Sequence, residues 1–386
     1  MAIAWNFERI DLSAYQWLSE NYEAGDRIFL FGFSRGAYQV RVIAGMIEKA
    51  DSVIEYDPPQ LAYHINRLDF LHKGNNDQIP FAYELYLATV TERETKTQAM
   101  NGNLNNGSRY SQKNSYIKIQ DAEDPQLLAQ NFKKTLSCQD VKVHFVGTWE
   151  TVSSVGFARG PTLPETTTGM GHVTVFRHAL ALDERRVKFL PEYVNGGLGP
   201  ATKIDSKKGD VKEVWFAGSH SDIGGGNIYN PMSNQFGPAF LHWMTYEALC
   251  HHLKMHPFRD EWKSIQLAES LKGFWKLFEV IPFRRLTYKD QNQTTRWPHL
   301  GSPRLIQTGQ LIHKSAFKKD YVPKAKLLDG VVWNENYLKN QKLIEKDPYL
   351  SADTLMSSIN DIKEPALRKI TKTQKHKGCL SVISVI

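Results

Sequence analysis

The residues able to do chemistry in this chain fall at four places. The first is Gly32-Phe33-Ser34-Arg35-Gly36, a Gly-x-Ser-x-Gly pentapeptide. The second is Glu150, at the end of Phe145-Val-Gly-Thr-Trp-Glu150. The third is the pair His220 and Asp222 in Gly218-Ser-His-Ser-Asp-Ile-Gly-Gly-Gly226, and the fourth is His313 in Gln310-Leu-Ile-His-Lys-Ser315. A hydroxyl, an imidazole and a carboxylate are the parts of a nucleophilic triad, in which the imidazole takes the hydroxyl proton and the carboxylate orients the imidazole. Two assignments respect the chain order Ser, acid, His. One is Ser34, Glu150 and His220; the other is Ser34, Asp222 and His313. The first is preferred, because His220 sits in the most constrained loop. Asp222 orienting His220 is disfavoured, because residues two apart seldom face each other.

Other chemistry fits less well. A phosphate loop needs Gly-x-x-x-x-Gly-Lys-Ser/Thr, which is absent. His220, Asp222 and Glu150 suit a divalent ion by type, yet no fixed-spacing metal motif is present, so no metal and no cofactor is expected. His178, His242, His251 and His252 read as packing or surface residues.

The elements around the pentapeptide decide how much it means. Ile28-Phe-Leu-Phe31 is a short continuous apolar run, as in a strand buried on both faces of a parallel sheet. Ala37, Val40, Ala44 and Ile47 follow at helical spacing. A strand turning sharply into a helix lifts the central serine above the sheet edge and puts the Arg35 backbone N–H at a helix N-terminus, where it can serve half an oxyanion hole. Further strands are expected at 141–146 and 213–217, placing Glu150 and His220 just past strand ends, where α/β folds put function. Helices are expected at 11–22 with Asp11 as N-cap, at 61–71, 81–90 and 239–253, and in the 172–190 stretch that contains His178 to Arg186. Residues 91–124 are polar and Asn-rich and read as an exposed insertion. The Lys-rich end from Lys363 to Ile386 reads as a solvated tail, with peripheral membrane contact as the second possibility.

Composition sets the frame. The chain has 386 residues, 41% hydrophobic and 23% charged, with a net charge of +7. That is a globular balance without the concentrated basic patch of a nucleic-acid binder. Three cysteines, Cys138, Cys250 and Cys379, are too scattered for a disulfide framework. With no signal peptide and no apolar run of membrane-spanning length, a cytoplasmic location is expected. The oligomeric state is left open.

Five blocks in order carry a family resemblance: 25–38, Phe145 to Val152, His178 to Arg186, Trp215 to Gly226, and Ile312 to Ser315. Together they resemble the α/β-hydrolase domain formerly called DUF2235, found in Tle1-type phospholipase effectors of type VI secretion and in fungal proteins. The resemblance covers about residues 8–325, leaving 326–386 as a C-terminal extension. It implies an α/β-hydrolase fold with a mostly parallel sheet flanked by helices, and a serine esterase or phospholipase acting on lipid esters. Ser34 matches the family nucleophile. Glu150 stands where the family has Asp, and its extra methylene moves the carboxylate by more than about 1 Å. The family opens with a strand and an Asp-Gly-Thr-Trp-Asn-like loop that has no match here, so a sheet truncated at its N-terminal side and a missing oxyanion donor are expected. A hydrolase-like scaffold that binds a lipid or partner without turnover is the alternative.

Overall fold

The computed structural model describes residues 2–47, 74–87, 132, 135–137, 141–155, 158–159, 166, 170–200, 209–225, 238–255, 267–327, 333–348 and 381–385. Within them a central sheet holds seven strands: β1 (Ile28–Phe33), β2 (Val143–Trp149), β3 (Val175–Ala181), β4 (Asp210–Phe216), β5 (Leu311–His313), β6 (Ile344–Glu345) and β7 (Ser381–Val385). Their order is β6-β5-β4-β3-β2-β1-β7, and every neighbouring pair is parallel. The expected α/β class is therefore the observed one. Parallel strands share one carboxyl edge, so residues just past β1, β2 and β4 are brought together there.

The apolar runs are continuous because both faces of the sheet are covered. Ile28 and Leu30 face a core built with α1 (Ala2–Asn21) and α2 (Arg35–Ile47), including Tyr15, Leu18, Val40 and Ile43. Phe29 turns to the opposite core, with Phe145, Val214 and Phe216 against Trp243 and Met244 of α4 (Ala239–Cys250). A short helix between them, α3 (His220–Ile223), follows β4. Each such fully buried large side chain contributes about 1.5–3 kcal/mol.

Four sequence expectations meet the structure differently. Residues 175–181, expected as helix, form β3, and all seven are buried. The polar pair in its middle hides the strand from the periodicity: Arg177 forms ion pairs with Glu247 and Asp210, and His178 hydrogen-bonds Glu213, so both polar groups are satisfied in a strand interior. Asp11 is not an N-cap. α1 begins at Ala2, and Asp11 lies buried in its middle, its carboxyl pushed well up by burial. The last residues of the tail are not solvated chain, because Ser381–Val385 pairs along the outer edge of β1. α4 ends at Cys250 rather than 253. Residues 79–87 are helical, as expected for 81–90. The expected helix at 61–71, the polar insertion at 91–124, Cys138 and Cys379 lie outside the described residues; Cys250 is free. Among the described residues no helix is long and apolar enough to cross a membrane.

Candidate active site

The chain leaves β1 at Phe33 and enters α2 at Arg35, so Ser34 alone makes the turn. Its φ is 58°, a left-handed conformation unfavourable for a residue with a Cβ. The close approach of strand and helix explains Gly32: a Cβ there would lie 2.4 Å from the Gly36 carbonyl oxygen. Two backbone bonds strap the turn to its neighbour. Ser34 N–H donates to the Trp149 carbonyl at 2.9 Å, and Val152 N–H donates to the Ser34 carbonyl at 3.2 Å. Glu150, the first residue past β2, also has a left-handed φ, 52°, and its N–H donates to the Ala179 carbonyl at 2.9 Å.

These turns bring Ser34, Glu150 and His220 together. His220 Nε2 lies 2.9 Å from Ser34 Oγ, and His220 Nδ1 lies 3.0 Å from Glu150 Oε2. Glu150 is fully buried, and each of its oxygens accepts two bonds. Oε1 takes Ala181 N–H at 2.6 Å and Arg304 Nη1 at 2.7 Å. Oε2 takes Arg304 Nη2 at 2.8 Å and His220 Nδ1. Burial by itself would raise the Glu150 pKa. The Arg304 charge and the hydrogen bonds from His220 and Arg304 together outweigh it and hold the carboxyl down at about 2. An ionised carboxylate only accepts. Nδ1 of His220 therefore carries the imidazole proton, and Nε2 presents its lone pair to the Ser34 hydroxyl.

The imidazole is held on several sides. Its backbone N–H donates to Glu184 Oε2 at 3.1 Å, and Glu184 is paired with Arg186. The ring lies between Phe33 and Phe189, with centroids at 4.7 and 4.6 Å. Phe33 reaches it across Gly224, where a Cβ would come within 2.1 Å of the Phe33 ring. His178 supports the Glu150 turn from below. Thr151 N–H donates to its Nε2 at 3.1 Å, so Nδ1–H faces Glu213 at 2.9 Å, and burial pushes its pKa down.

The second assignment does not assemble. Asp222 Oδ2 accepts from Ser219 N–H at 2.8 Å, Ser219 Oγ at 2.9 Å and Ala268 N–H at 3.1 Å, which ties the start of α3 to the 268 segment. His313 is buried at the end of β5, stacked on Phe216 at 4.7 Å, with Nε2 3.2 Å from Asp347 Oδ1. Arg304, Glu184 and Phe189 were not singled out from the sequence. Arg304 lies in a mixed stretch, 254–310, without periodicity, and nothing in Gly301-Ser-Pro-Arg304 marks it. Among the described residues no three His, Cys, Asp or Glu side chains are placed to hold a metal.

A parallel α/β sheet with a serine on a strand-to-helix elbow, and a histidine and a carboxylate within hydrogen-bond reach at the same edge, is the frame of the α/β hydrolases. The chain belongs to the family of type VI secretion phospholipase effector Tle1-like catalytic domains, which it matches over residues 1–247. It is also similar to the uncharacterized protein YEL023C of Saccharomyces cerevisiae (strain ATCC 204508 / S288c), with 35% identity over 178 residues. That match covers 46% of this chain and 20% of the yeast protein, so the chain spans about a fifth of that relative's length. No solved structure matches the chain. Ser34, Glu150 and His220 lie inside the family match; Arg304 and His313 lie beyond it.

Proposed function

We propose that this chain is a serine hydrolase that cleaves carboxylic esters of lipids through an acyl-enzyme. The single observation that carries the proposal is the 2.9 Å approach of His220 Nε2 to Ser34 Oγ, with Nδ1 of the same ring on the ionised Glu150. The family's phospholipase description supports a lipid ester as the substrate class.

In the first half-reaction His220 Nε2 takes the hydroxyl proton while Ser34 Oγ attacks the ester carbonyl carbon. Charge develops on the carbonyl oxygen. Arg35 N–H opens α2, where the first four backbone donors have no intrahelical partner, and it is one donor for that oxyanion. His220 then protonates the departing alkoxide, and the C–O bond breaks to leave acyl-Ser34 and an alcohol. In the second half-reaction His220 takes a proton from water as the water oxygen attacks the acyl carbon, then returns it to Ser34 Oγ as the acyl C–Oγ bond breaks and the acid is released. Positioned general-base help is worth about a hundred- to ten-thousandfold in rate. Only one oxyanion donor is assigned, and losing one typically costs about a hundred- to a thousandfold. Slow turnover with clean active-site labelling is therefore the expected behaviour.

The test is fluorophosphonate labelling of the purified chain, with p-nitrophenyl butyrate hydrolysis alongside. Labelling at Ser34 that vanishes in Ser34→Ala supports the proposal. Neither labelling nor turnover refutes it and favours a binding scaffold built on the same frame.

A further inference from the structure

Among the described residues, seven of the twelve exposed large apolar side chains lie within 267–300. Phe274 is 69% exposed, Leu277 58%, Val280 60%, Trp297 78% and Leu300 67%. They are held on one pinned segment. α5 (Trp275–Phe278) leads to the buried Glu279, which accepts from Val187 N–H at 2.7 Å, Gly301 N–H at 2.9 Å and His299 Nδ1 at 2.6 Å. Leu300 N–H donates to the Glu279 carbonyl at 3.0 Å, which sets Leu300 beside Val280. Arg285 Nε reaches the Trp297 carbonyl at 3.3 Å, tying Trp297 to the same unit. These side chains are therefore displayed outward from a fixed backbone.

The charge around them is mostly positive. Lys272, Lys276, Arg284, Lys289 and Arg296 are exposed, against Glu269, which is spent on Lys324, and Asp290. The lysines alternate with the apolar residues: Lys272, Phe274, Lys276, Leu277. The buried centre of a protein interface is depleted in lysine. A lipid surface suits such mixing, because apolar tips enter the acyl boundary while ammonium and guanidinium groups stay at the phosphates. The patch also abuts the candidate site. Trp275 packs edge-on to Phe189 at 5.4 Å, and Phe189 packs on His220 at 4.6 Å.

We propose that residues 267–300 form a docking face for an anionic phospholipid bilayer, set beside Ser34 so that a lipid ester reaches the hydroxyl from the membrane. The role as a substrate entrance rests on the lipid-ester reading above; the docking itself does not. The basic run from Lys363 onward is a separate feature, and the test separates the two.

The measurement is co-sedimentation of the full chain, in the Ser34→Ala form, with vesicles of phosphatidylcholine alone or mixed equally with phosphatidylglycerol. The expected result is at least about tenfold tighter binding to the anionic vesicles. Phe274→Gln/Leu277→Gln/Trp297→Gln weakens that binding at least about tenfold. Lys272→Gln/Lys276→Gln/Arg296→Gln removes most of the preference for anionic lipid. All six residues are exposed, so in the Ser34 background both triple variants keep whatever p-nitrophenyl butyrate hydrolysis the parent has, within about twofold. Equal binding to both vesicle types, no binding to either, or undiminished binding by the apolar variant would each overturn the proposal, the last in favour of the Lys-rich end. Vesicle binding without labelling or ester hydrolysis would remove the enzyme reading and leave the docking face standing.

Discussion

Arg304→Met tests the electrostatic design of the site most directly. A carboxyl lowered from its usual 4.5 to about 2 favours its ionised form by roughly 3 kcal/mol. Glu150 is fully buried, so solvent does not screen this pairing. The sign follows from the direction of the shift. The contribution is complete above about pH 4.5 and is lost as pH falls through about 2. Methionine removes the fork that fills two of the four bonds to Glu150 and leaves the burial that raises its pKa. Glu150 then takes up a proton well above pH 2, and a neutral acid no longer supports the imidazolium formed when Ser34 gives up its proton. In a serine protease with a Ser-His-Asp triad, neutralising the carboxylate costs about ten-thousandfold in kcat. kcat/KM for p-nitrophenyl butyrate is therefore expected to fall steeply on the acid side, along a limb displaced upward by more than about one pH unit. Urea unfolding at pH 7 should show a loss of about 3–5 kcal/mol, the cost of an unpaired buried charge. Arg304→Met combined with Glu150→Gln removes both charges and should cost less than the two single changes added together. Arg304→Lys keeps the charge without the fork and should fall between. An Arg304→Met protein within about 1 kcal/mol of the parent, with an unchanged pH profile, would refute the reasoning.

Two further outcomes follow from the backbone. Ser34→Gly and Ser34→Ala both lose the hydroxyl, but only glycine relaxes the φ of 58°, so the glycine form should unfold about 1 kcal/mol later in urea than the alanine form. Equal midpoints would mean the elbow carries no strain. Gly224→Ala places a methyl against the Phe33 ring; it should lower stability by about 1–3 kcal/mol and reduce kcat/KM by shifting the ring that packs on His220, and unaltered kinetics would show that Phe33 does not position the imidazole.

Part of the site was legible because its signals are local. The run Ile28-Phe-Leu-Phe31, the glycines at 32 and 36 and the helical spacing after them all concern neighbours in sequence, so they specify a strand, a turn and a helix together. Residues placed past strand ends were expected to converge, since parallel strands share an edge. Glu150 and His220 do lie together beside Ser34. β3 is hidden from spacing because its central residues are polar, and only partners on other elements, Glu247 on α4 and Glu213 on β4, make Arg177 and His178 acceptable inside a sheet. Asp11 was misread for a related reason: its burial depends on what packs over the middle of α1, and local pattern does not report that.

The sequence alone determined the class of fold and the place of the serine, because short-range spacing sets strand, elbow and helix. Only the tertiary structure decided which histidine and which carboxylate face that serine. His220 follows one strand and His313 ends another. The difference between them lies in long-range partners: Glu150 and Ser34 for one, Asp347 and Phe216 for the other. Arg304 belongs wholly to this second category. It sits 154 residues from Glu150 in the chain and within 2.7 Å of it in space. Its effect is electrostatic, and Coulomb energy depends on distance and burial rather than on spacing along the chain.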